Sequence, residues 1–308
     1  MHIAQIGTGR VGRPTAYTIL CSKLADRITV CDIQPGLATA FAEELRHVAA
    51  SLRLDVEIIS CETASDVVGA DIILISAGKP RTPGVKMTRR DLAIENGRIV
   101  KQISQSTILN NPLAKYVVIT NPVDAMAMVC KKYSDADFVI STGTNLESLR
   151  FRSRLAQCLK VPVSEVDGYV GGEHGTSAVI LWSTVKVYGV PLDEYLKSNN
   201  MPLDKNEIDS YMKSVSKQIV DNIGGTEYGP AASFTDIVRA IINDSKEILP
   251  VAVAKEFEHF PQPVFVSVPL HVGNSIGSEV FELSAQENEA IRKASEAIYQ
   301  TFKATTNP

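Results

Sequence analysis

The stretch that decides the fold is residues 2–12, which read HIAQIGTGRVG. A short apolar run leads directly into a turn with glycines at positions 7, 9 and 12, and this turn opens a helix. Glycine carries no side chain, so the backbone of such a turn can approach a pyrophosphate closely, and the start of the helix supplies unpaired N–H groups. The pattern predicts a strand, a phosphate-binding turn and a helix in succession.

An acidic residue closes the next strand. The run RITVCD ends at Asp32, where a carboxylate can accept a hydrogen bond from a ribose 2′-hydroxyl and would repel a 2′-phosphate. We therefore predict NAD, rather than NADP, as the cofactor. The alternative is a glycine-rich turn that binds no ligand. The preceding strand, the following helix and Asp32 together favour the cofactor.

Short apolar strands alternate with longer helical segments through the first half of the chain. ADIILISAG, YVVITNP and DFVIST are each rich in Ile and Val and close on a small or polar residue. Between the strands, apolar residues recur at spacings of three and four, as in the helix that contains Leu37, Phe41, Leu45 and Val48. This alternation predicts a parallel sheet covered on both faces.

The architecture changes near residue 143. A helix over residues 146–159 precedes strands around the glycine-rich turn of EVDGYVGGEHGTSAVILWSTVKV, and two more helices follow. VFVSVPL and GSEVFEL predict an antiparallel hairpin, and Ser284 with Glu287 form a capping box that opens the last helix. We predict an α/β protein with a dinucleotide-binding domain over 1–143. An α+β domain for substrate binding, catalysis and oligomerisation is predicted over 144–308.

Composition excludes several classes of protein. The formal charge of −4 argues against a nucleic-acid partner, which requires a basic face. The five cysteines show no Cys-x-x-Cys spacing, so we expect buried thiols in a reducing compartment and no metal site. No apolar run approaches the 18 residues that suggest a membrane span, and the N-terminus lacks a signal-peptide pattern. These features predict a cytoplasmic protein with no membrane partner.

Three residues of the second half suggest proton chemistry. GGEHG places His174 among glycines, where the imidazole is open to a ligand and can exchange a proton near neutral pH. Glu147 and Arg150 lie three residues apart on one predicted helix face, which on its own indicates a helical ion pair. A carboxylate that accepts from the imidazole would fix its tautomer and favour its protonated form.

Two loops of the first half are candidates for ligand contacts. Asn121 ends the strand YVVIT, at the edge where parallel sheets bind ligands, although Asn-Pro could also serve only to start a helix. Residues 79–90, KPRTPGVKMTRR, concentrate five positive charges without an acid. So short a patch suits a small anion better than a polymer.

Together these motifs resemble the lactate/malate dehydrogenase family along almost the whole chain. GTGRVG, SAGKPR, MTRRDL, ITNPVD, TNLESLRF, GGEHG and GGTEYGPAAS occur in the family's order and at nearly its spacing. The chain is most similar to the malate dehydrogenases of the lactate-dehydrogenase-like group. The resemblance implies a doubly wound (Rossmann) sheet followed by an α+β catalytic domain. It also implies NAD, a small dicarboxylate substrate and a homo-oligomer, either tetramer or dimer.

The resemblance also implies roles for individual residues. His174 matches the proton donor and acceptor, with Glu147 at its partner position and Arg89 at the position that polarises the carbonyl. The implied substrate contacts are Arg81, Arg89, Asn121, Arg150 and Thr226. The implied cofactor contacts are Gly7, Gly9, Arg10, Val11, Gly12, Asp32, Gly78, Asn96, Ile119 and Asn121. Arg81 matches the specificity position, where an arginine binds the second carboxylate of a dicarboxylate and lactate dehydrogenases have glutamine.

Three departures from the family pattern leave questions open. Glu147 replaces an aspartate, and its extra methylene could displace the carboxylate by about 1 Å, enough to cost about 10²-fold in rate. Two additional residues before Met87 make the alignment ambiguous: counting from the left puts Arg81 at the specificity position, and counting back from Arg89 puts Pro83 there. We prefer Arg81, because PRTPG matches the family's pattern, and Lys86 in the added residues remains an alternative reader of the distal carboxylate. Ser141 replaces a common glycine, for which the sequence suggests no reason.

Two alternative functions remain compatible with the sequence. One is a dehydrogenase for lactate or another 2-hydroxy acid, in which Lys86 accommodates a different anion. The other is an NAD-binding sensor or assembly subunit without catalysis, which only the substitution at Glu147 supports.

Overall fold

The computed structural model describes residues 1–79 and 88–306, and for Arg89 the backbone alone. A twelve-stranded sheet runs through the described residues. The first six strands are parallel to one another. They are β1 (His2–Ile6), β2 (Arg27–Cys31), β3 (Glu57–Cys61), β4 (Ile72–Ile75), β5 (Lys115–Val118) and β6 (Val139–Ser141).

Burial of these strands matches their sequences, which are rich in Ile and Val. Every residue of β1 and β4 is buried, which requires helices on both faces of the sheet. The helices of the first half are α1 (Gly12–Cys21), α2 (Leu37–Leu52), α3 (Arg89–Ile108) and α4 (Val123–Ser134). Helices α1 and α2 form one contact group with a later helix (Tyr228–Asn243), and α3 and α4 form another with the last helix (Ala285–Thr306). The predicted doubly wound sheet is confirmed.

The second half of the chain adds antiparallel strands and five helices within the described ranges. Its strands are β7 (Val166–Gly172), β8 (Ala178–Val187), β9 (Val190–Pro191), β10 (Glu247–Lys255), β11 (Val264–Val272) and β12 (Ile276–Glu279). Its helices are α5 (Asn145–Leu159), α6 (Leu192–Ser198), α7 (Lys205–Ile223), α8 (Tyr228–Asn243) and α9 (Ala285–Thr306). The capping box predicted at the start of α9 is present, with Ser284 and Glu287 bonding reciprocally.

Strand β10 joins the two halves into one sheet. The strand order is β3-β2-β1-β4-β5-β6-β10-β11-β7-β8-β9, and β12 pairs with β11. It pairs antiparallel with β6 at Ala252 and Ser141, and antiparallel with β11 along its whole length. The local sequence does not predict β10, because Pro250 interrupts it and proline normally argues against a central strand. The edge strand β3 was not predicted either. The predicted hairpin of β11 and β12 is confirmed, although β12 ends at Glu279 because the chain there turns towards the cap of α9.

Within the described ranges, none of the helices combines the length and apolar character needed to cross a bilayer. All five cysteines are free thiols, and Cys31 and Cys130 are buried as the apolar segments around them predict.

Candidate active site

His174 lies in the turn between β7 and β8. Gly172 and Gly175 on either side of it have φ values of +85° and +124°, in the left-handed region that favours glycine. The two glycines let the chain reverse sharply while the imidazole stays 22% exposed. This geometry explains why the sequence surrounds His174 with glycine.

Glu147 on α5 contacts the imidazole directly. Its carboxylate oxygens lie 3.0 and 3.1 Å from His174 Nδ1, and its side chain is only 8% exposed. The longer side chain therefore does not carry the carboxylate out of reach. The hypothesis of a non-catalytic NAD-binding protein loses its only support, because the extra methylene of Glu147 does not separate its carboxylate from the imidazole.

Arg150 lies one turn further along α5. Its Nη1 is 3.8 Å from Glu147 Oε1, which is beyond hydrogen-bonding distance, and its side chain is 13% exposed. Among the described residues, no hydrogen bond occupies its guanidinium. The planar donor fork is thus available for a carboxylate beside His174.

Electrostatics hold His174 in its protonated form. Burial acts to lower its pKa, but the charge and hydrogen bond of Glu147 and the charge of Asp124 outweigh it and raise the pKa to about 9. Burial acts in turn to raise the pKa of Glu147, yet the charge and hydrogen bond of His174 and the charge of Arg150 hold that pKa below its usual value. At neutral pH the pair is an imidazolium with a carboxylate, and His174 is ready to donate a proton.

The turn between β1 and α1 has the shape of a phosphate cradle. A Cβ at Gly12 would come within 1.9 Å of Gly7 O, and one at Gly7 within 2.4 Å of Ala77 N, so internal packing requires both glycines. A Cβ at Gly9 would meet nothing within 4 Å, which leaves open space outside the turn. Val11 caps α1 without a side-chain hydrogen bond, and the first turn of α1 contains no acid. The helix start can therefore receive an anion.

Asp32 is held at the end of β2 by neighbouring donors. Its Oδ2 accepts from Thr8 N at 2.7 Å and from Thr8 Oγ1 at 3.0 Å, while Oδ1 accepts from Gln34 N at 3.0 Å. A carboxylate has about four acceptor positions, so a ribose hydroxyl can still donate to it. The cradle and this carboxylate together fit a dinucleotide such as NAD.

Asn96 connects the loops that follow β4 and β5. Its Oδ1 accepts from Lys79 N at 2.7 Å, and its Nδ2 donates to Asn121 O at 2.7 Å. A Cβ at Gly78 would come within 3.0 Å of the same Oδ1. Ile119 is buried below this junction. Asn121 is exposed and caps no helix, since the N-cap of α4 is Pro122.

Arg10 and Thr226 lie on two loops that touch each other. Arg10 Nη1 donates to Glu227 Oε1 at 2.7 Å and more weakly to Ile223 O at 3.4 Å. The guanidinium therefore binds the loop between α7 and α8, and it does not stand free over the phosphate cradle. Thr226 is half-buried in that same loop.

The two ends of the basic segment (residues 79–90) both contact helix α3. Lys79 Nζ lies 3.0 Å from Glu95 Oε2, and Thr88 forms a capping box with Asp91 at the start of the helix. Arg81, Lys86 and the side chain of Arg89 lie outside the described residues.

Asp124 is a residue of the site that the sequence motifs did not predict. This buried carboxylate of α4 accepts a hydrogen bond from His174 N at 2.8 Å. The sequence feature that could have identified Asp124 is its position directly after Asn-Pro-Val, in the first turn of a helix that follows a parallel strand. Within the described part of the chain, no cluster of His, Cys, Asp and Glu is arranged to hold a metal ion.

Comparisons with known proteins agree with this geometry. Residues 1–138 match the model of the lactate/malate dehydrogenase NAD binding domain, and residues 144–307 that of the family's alpha/beta C-terminal domain. A malate dehydrogenase of Sulfurisphaera tokodaii is 41% identical over 91% of this chain and 88% of its own length. An L-lactate dehydrogenase of Thermoanaerobacter sp. is 34% identical over 96% of each chain.

A solved structure shows the same fold. The malate dehydrogenase of Plasmodium falciparum superposes with a TM-score of 0.91 at 26% identity, covering 100% of this chain and 99% of its own. The two family models together span nearly every residue of the chain. The chain belongs to the lactate/malate dehydrogenase family.

Proposed function

We propose that this protein is an NAD-dependent malate dehydrogenase, which interconverts malate and oxaloacetate. The observation that carries the proposal is the cluster of His174, Glu147 and Arg150 in the C-terminal half of the chain, together with the dinucleotide cradle in the N-terminal half. His174 Nδ1 lies 3.0 Å from Glu147, and Arg150 retains free donors beside them. A proton donor and a carboxylate-binding arginine are what the reduction of a 2-keto acid requires.

The chain's own residues perform most of the reaction. Arg150 binds the substrate carboxylate next to the keto group through its two-pronged guanidinium. Glu147 fixes the imidazole of His174 by accepting from Nδ1, which leaves Nε2 to give its proton to the carbonyl oxygen. Arg89 stabilises the charge that develops on that oxygen. Bound NADH supplies the hydride, and the reverse reaction returns it to NAD.

Preference for a dicarboxylate rests on two observations. Arg81 stands at the specificity position of the sequence pattern, where a guanidinium can bind a second carboxylate. The relative from S. tokodaii is a malate dehydrogenase, and its identity to this chain exceeds that of the Thermoanaerobacter lactate dehydrogenase.

The test is a steady-state comparison of substrates. NADH oxidation would be measured with oxaloacetate and with pyruvate, and repeated with NADPH. We expect a higher kcat/KM for oxaloacetate and a strong preference for NADH, because Asp32 repels a 2′-phosphate. Faster turnover of pyruvate would overturn the malate assignment.

Two variants distinguish the possible readers of the distal carboxylate. Arg81→Gln should reduce kcat/KM for oxaloacetate sharply and spare pyruvate, whereas Lys86→Ala should change neither. The opposite result would assign the distal carboxylate to Lys86. Lys23→Ala, at an exposed position outside residues 79–90, is a control for the loss of one positive charge.

A second candidate is a dehydrogenase for lactate or another 2-hydroxy acid. The 34% identity to an L-lactate dehydrogenase across 96% of this chain favours it. Arg150 would bind the same carboxylate in lactate as in malate, so the two functions differ only at the distal end of the substrate. A panel of 2-keto acids with different distal groups separates them.

We also propose that the protein acts in the cytoplasm as a homo-oligomer, either tetramer or dimer. Five free thiols suit a reducing compartment. Helix α2 carries small exposed residues, including Ala40 and Ala50, and the family resemblance implies that subunits pack against this helix. Sedimentation equilibrium with and without NADH would measure the oligomeric state.

A further inference from the structure

Asp124 is a buried carboxylate with two specific donors. It occupies the first turn of α4, is only 2% exposed, and is therefore withdrawn from solvent. Its Oδ1 accepts from Ser141 Oγ at 2.6 Å, and its Oδ2 accepts from His174 N at 2.8 Å. The positive end of the helix dipole also favours a negative charge at this position.

Ser141 holds Asp124 from the central sheet. It is fully buried at the end of β6, paired with Val118 of β5 and with Ala252 of β10. Its Oγ donates to Asp124 and accepts from Gly143 N at 3.0 Å, so the hydroxyl has no freedom to rotate away. The serine that departs from the family pattern therefore has a definite role in this structure.

His174 is consequently anchored at two points from two helices. Glu147 on α5 accepts from the ring, while Asp124 on α4 accepts from the backbone N–H of the same residue. Gly172 and Gly175 on either side give the turn a backbone with unusual conformational freedom. A backbone tether at His174 itself limits that freedom where an error of about 1 Å would cost about 10²-fold in rate.

We propose that Asp124 and Ser141 form a positioning pair that sets the location and charge of His174 for proton transfer. The proposal rests on the proposed function, because it concerns the histidine of that reaction. Asp124 acts through His174 and does not touch the substrate. The nearest cavity, which Asp124, Glu173, His174 and Thr301 help to line, measures about 10 Å³ and has room for roughly one water molecule.

The charges around His174 make the contribution of Asp124 measurable. Glu147 and Arg150 face the imidazole from α5, Asp124 from α4, and Glu173 is its neighbour in the turn. Burial raises the pKa of Asp124 to about 6, although hydrogen bonds from Ser141 and His174 N oppose the rise. Above that pH its negative charge stabilises protonated His174.

Three variants separate charge from position. Asp124→Asn keeps the shape and an acceptor for His174 N but removes the charge. Ser141→Ala keeps the charge of Asp124 but removes one of the two hydrogen bonds that hold its carboxylate. Asp124→Ala removes both the charge and the acceptor for His174 N. Glu287→Gln, a buried carboxylate at the start of α9, and Ser104→Ala, a buried serine of α3, are matched controls outside the site.

Activity, cofactor binding and stability would be measured for each variant. We expect Asp124→Ala, which removes the backbone tether, to lower kcat for oxaloacetate by about 10- to 100-fold, with Kd for NADH within about twofold of wild type. In Asp124→Asn the alkaline limb of kcat/KM should move to lower pH. Ser141→Ala should lower kcat without moving that limb. A wild-type kcat in Asp124→Ala or a wild-type limb in Asp124→Asn would overturn the proposal, as would losses that merely follow Tm and match the controls.

A direct titration keeps the proposal testable without turnover. The ring nitrogens of His174, in protein labelled with ¹⁵N and saturated with NADH, would be followed by NMR across pH in wild type and Asp124→Asn. A lower pKa in the variant supports the pair, and an unchanged pKa overturns it. Should wild type reduce no 2-keto acid, the proposed function fails while this titration still decides the role of Asp124.

Discussion

The contact between Glu147 and His174 shows that the fold accommodates a side chain one methylene longer than aspartate. Helix α5 holds the backbone of Glu147 at a distance from His174 that a glutamate side chain spans. Both carboxylate oxygens therefore lie about 3 Å from His174 Nδ1. From the sequence, the substitution suggested a weakened catalytic pair. The structure indicates instead that helix position and side-chain length are matched.

Glu147→Asp should therefore impair the protein, although it restores the residue common in the family. The shorter side chain would withdraw the carboxylate by roughly 1 Å, and we expect kcat to fall by about 10- to 100-fold. Stopped-flow measurement of NADH oxidation gives the rate of the chemical step. Glu194→Asp, at an exposed position of α6, controls for the substitution itself. An active Glu147→Asp enzyme would mean that α5 adjusts its position freely.

The raised pKa of His174 predicts opposite pH profiles for the two directions of reaction. Reduction needs the protonated imidazole, so kcat/KM for oxaloacetate should hold to about pH 9 and fall above it. Oxidation needs the neutral imidazole, so malate turnover should rise over the same range. Initial rates between pH 6 and 10.5 in both directions test this. If the rate of reduction instead fell near pH 6.5, the ordinary pKa of histidine, Glu147 would not stabilise the positive charge of His174.

The same shift links folding to pH. Because the folded-state pKa lies above the unfolded value of 6.5, proton binding by His174 favours the folded state. This contribution is complete below pH 6.5 and is lost as pH rises through about 9.

At the scale of elements, the turn between β1 and α1 separates two kinds of glycine. Gly9→Ala should leave the fold intact, because its Cβ meets nothing within 4 Å, yet raise Kd for NADH roughly tenfold, or about 1.4 kcal/mol. Gly12→Ala should lower the free energy of unfolding by about 1–3 kcal/mol, because its Cβ would overlap Gly7 O. Urea denaturation and NADH fluorescence titration measure the two effects. Equal loss of stability in both variants would contradict the assignment of Gly9 to the ligand.

A second element-scale prediction concerns the clamp formed by Asn96. Asn96→Ala removes the partners of Lys79 N and Asn121 O, and we expect a cost of about 1–3 kcal/mol in stability together with a raised KM for NADH. Ser106→Ala on the same helix removes only intrahelical bonds and is the matched control. Thermal unfolding and initial rates supply the measurements. An unchanged KM for NADH would show that the loops keep their positions without the clamp.

At the scale of the whole molecule, the sequence predicts local units better than their assembly. The strands β1, β2, β4, β5 and β6 are short runs rich in Ile and Val that alternate with helices, so their burial and parallel direction follow from composition and motif spacing. By contrast, β10 contains Pro250 and pairs with strands that lie far away in sequence, information that no local pattern carries. The contact between Asp124 and His174 was hidden for the same reason, because it spans 50 residues.

The shared sheet predicts that the two halves unfold as one unit. Strand β10 covers the edge of β6, while α8 packs on α1 and α9 packs on α3 and α4. We therefore expect a single calorimetric transition, with the van't Hoff enthalpy equal to the calorimetric one for each assembled unit. The NAD binding domain is the N-terminal half, yet saturation with NADH should raise the Tm of the whole transition. At an NADH concentration of 100 times Kd, binding adds about 2.7 kcal/mol to the free energy of unfolding. Two transitions, of which NADH shifts only one, would show that residues 1–143 unfold apart from the rest. Fragment 1–143 alone should then fold, whereas continuity of the sheet predicts that it aggregates through the uncovered edge of β6.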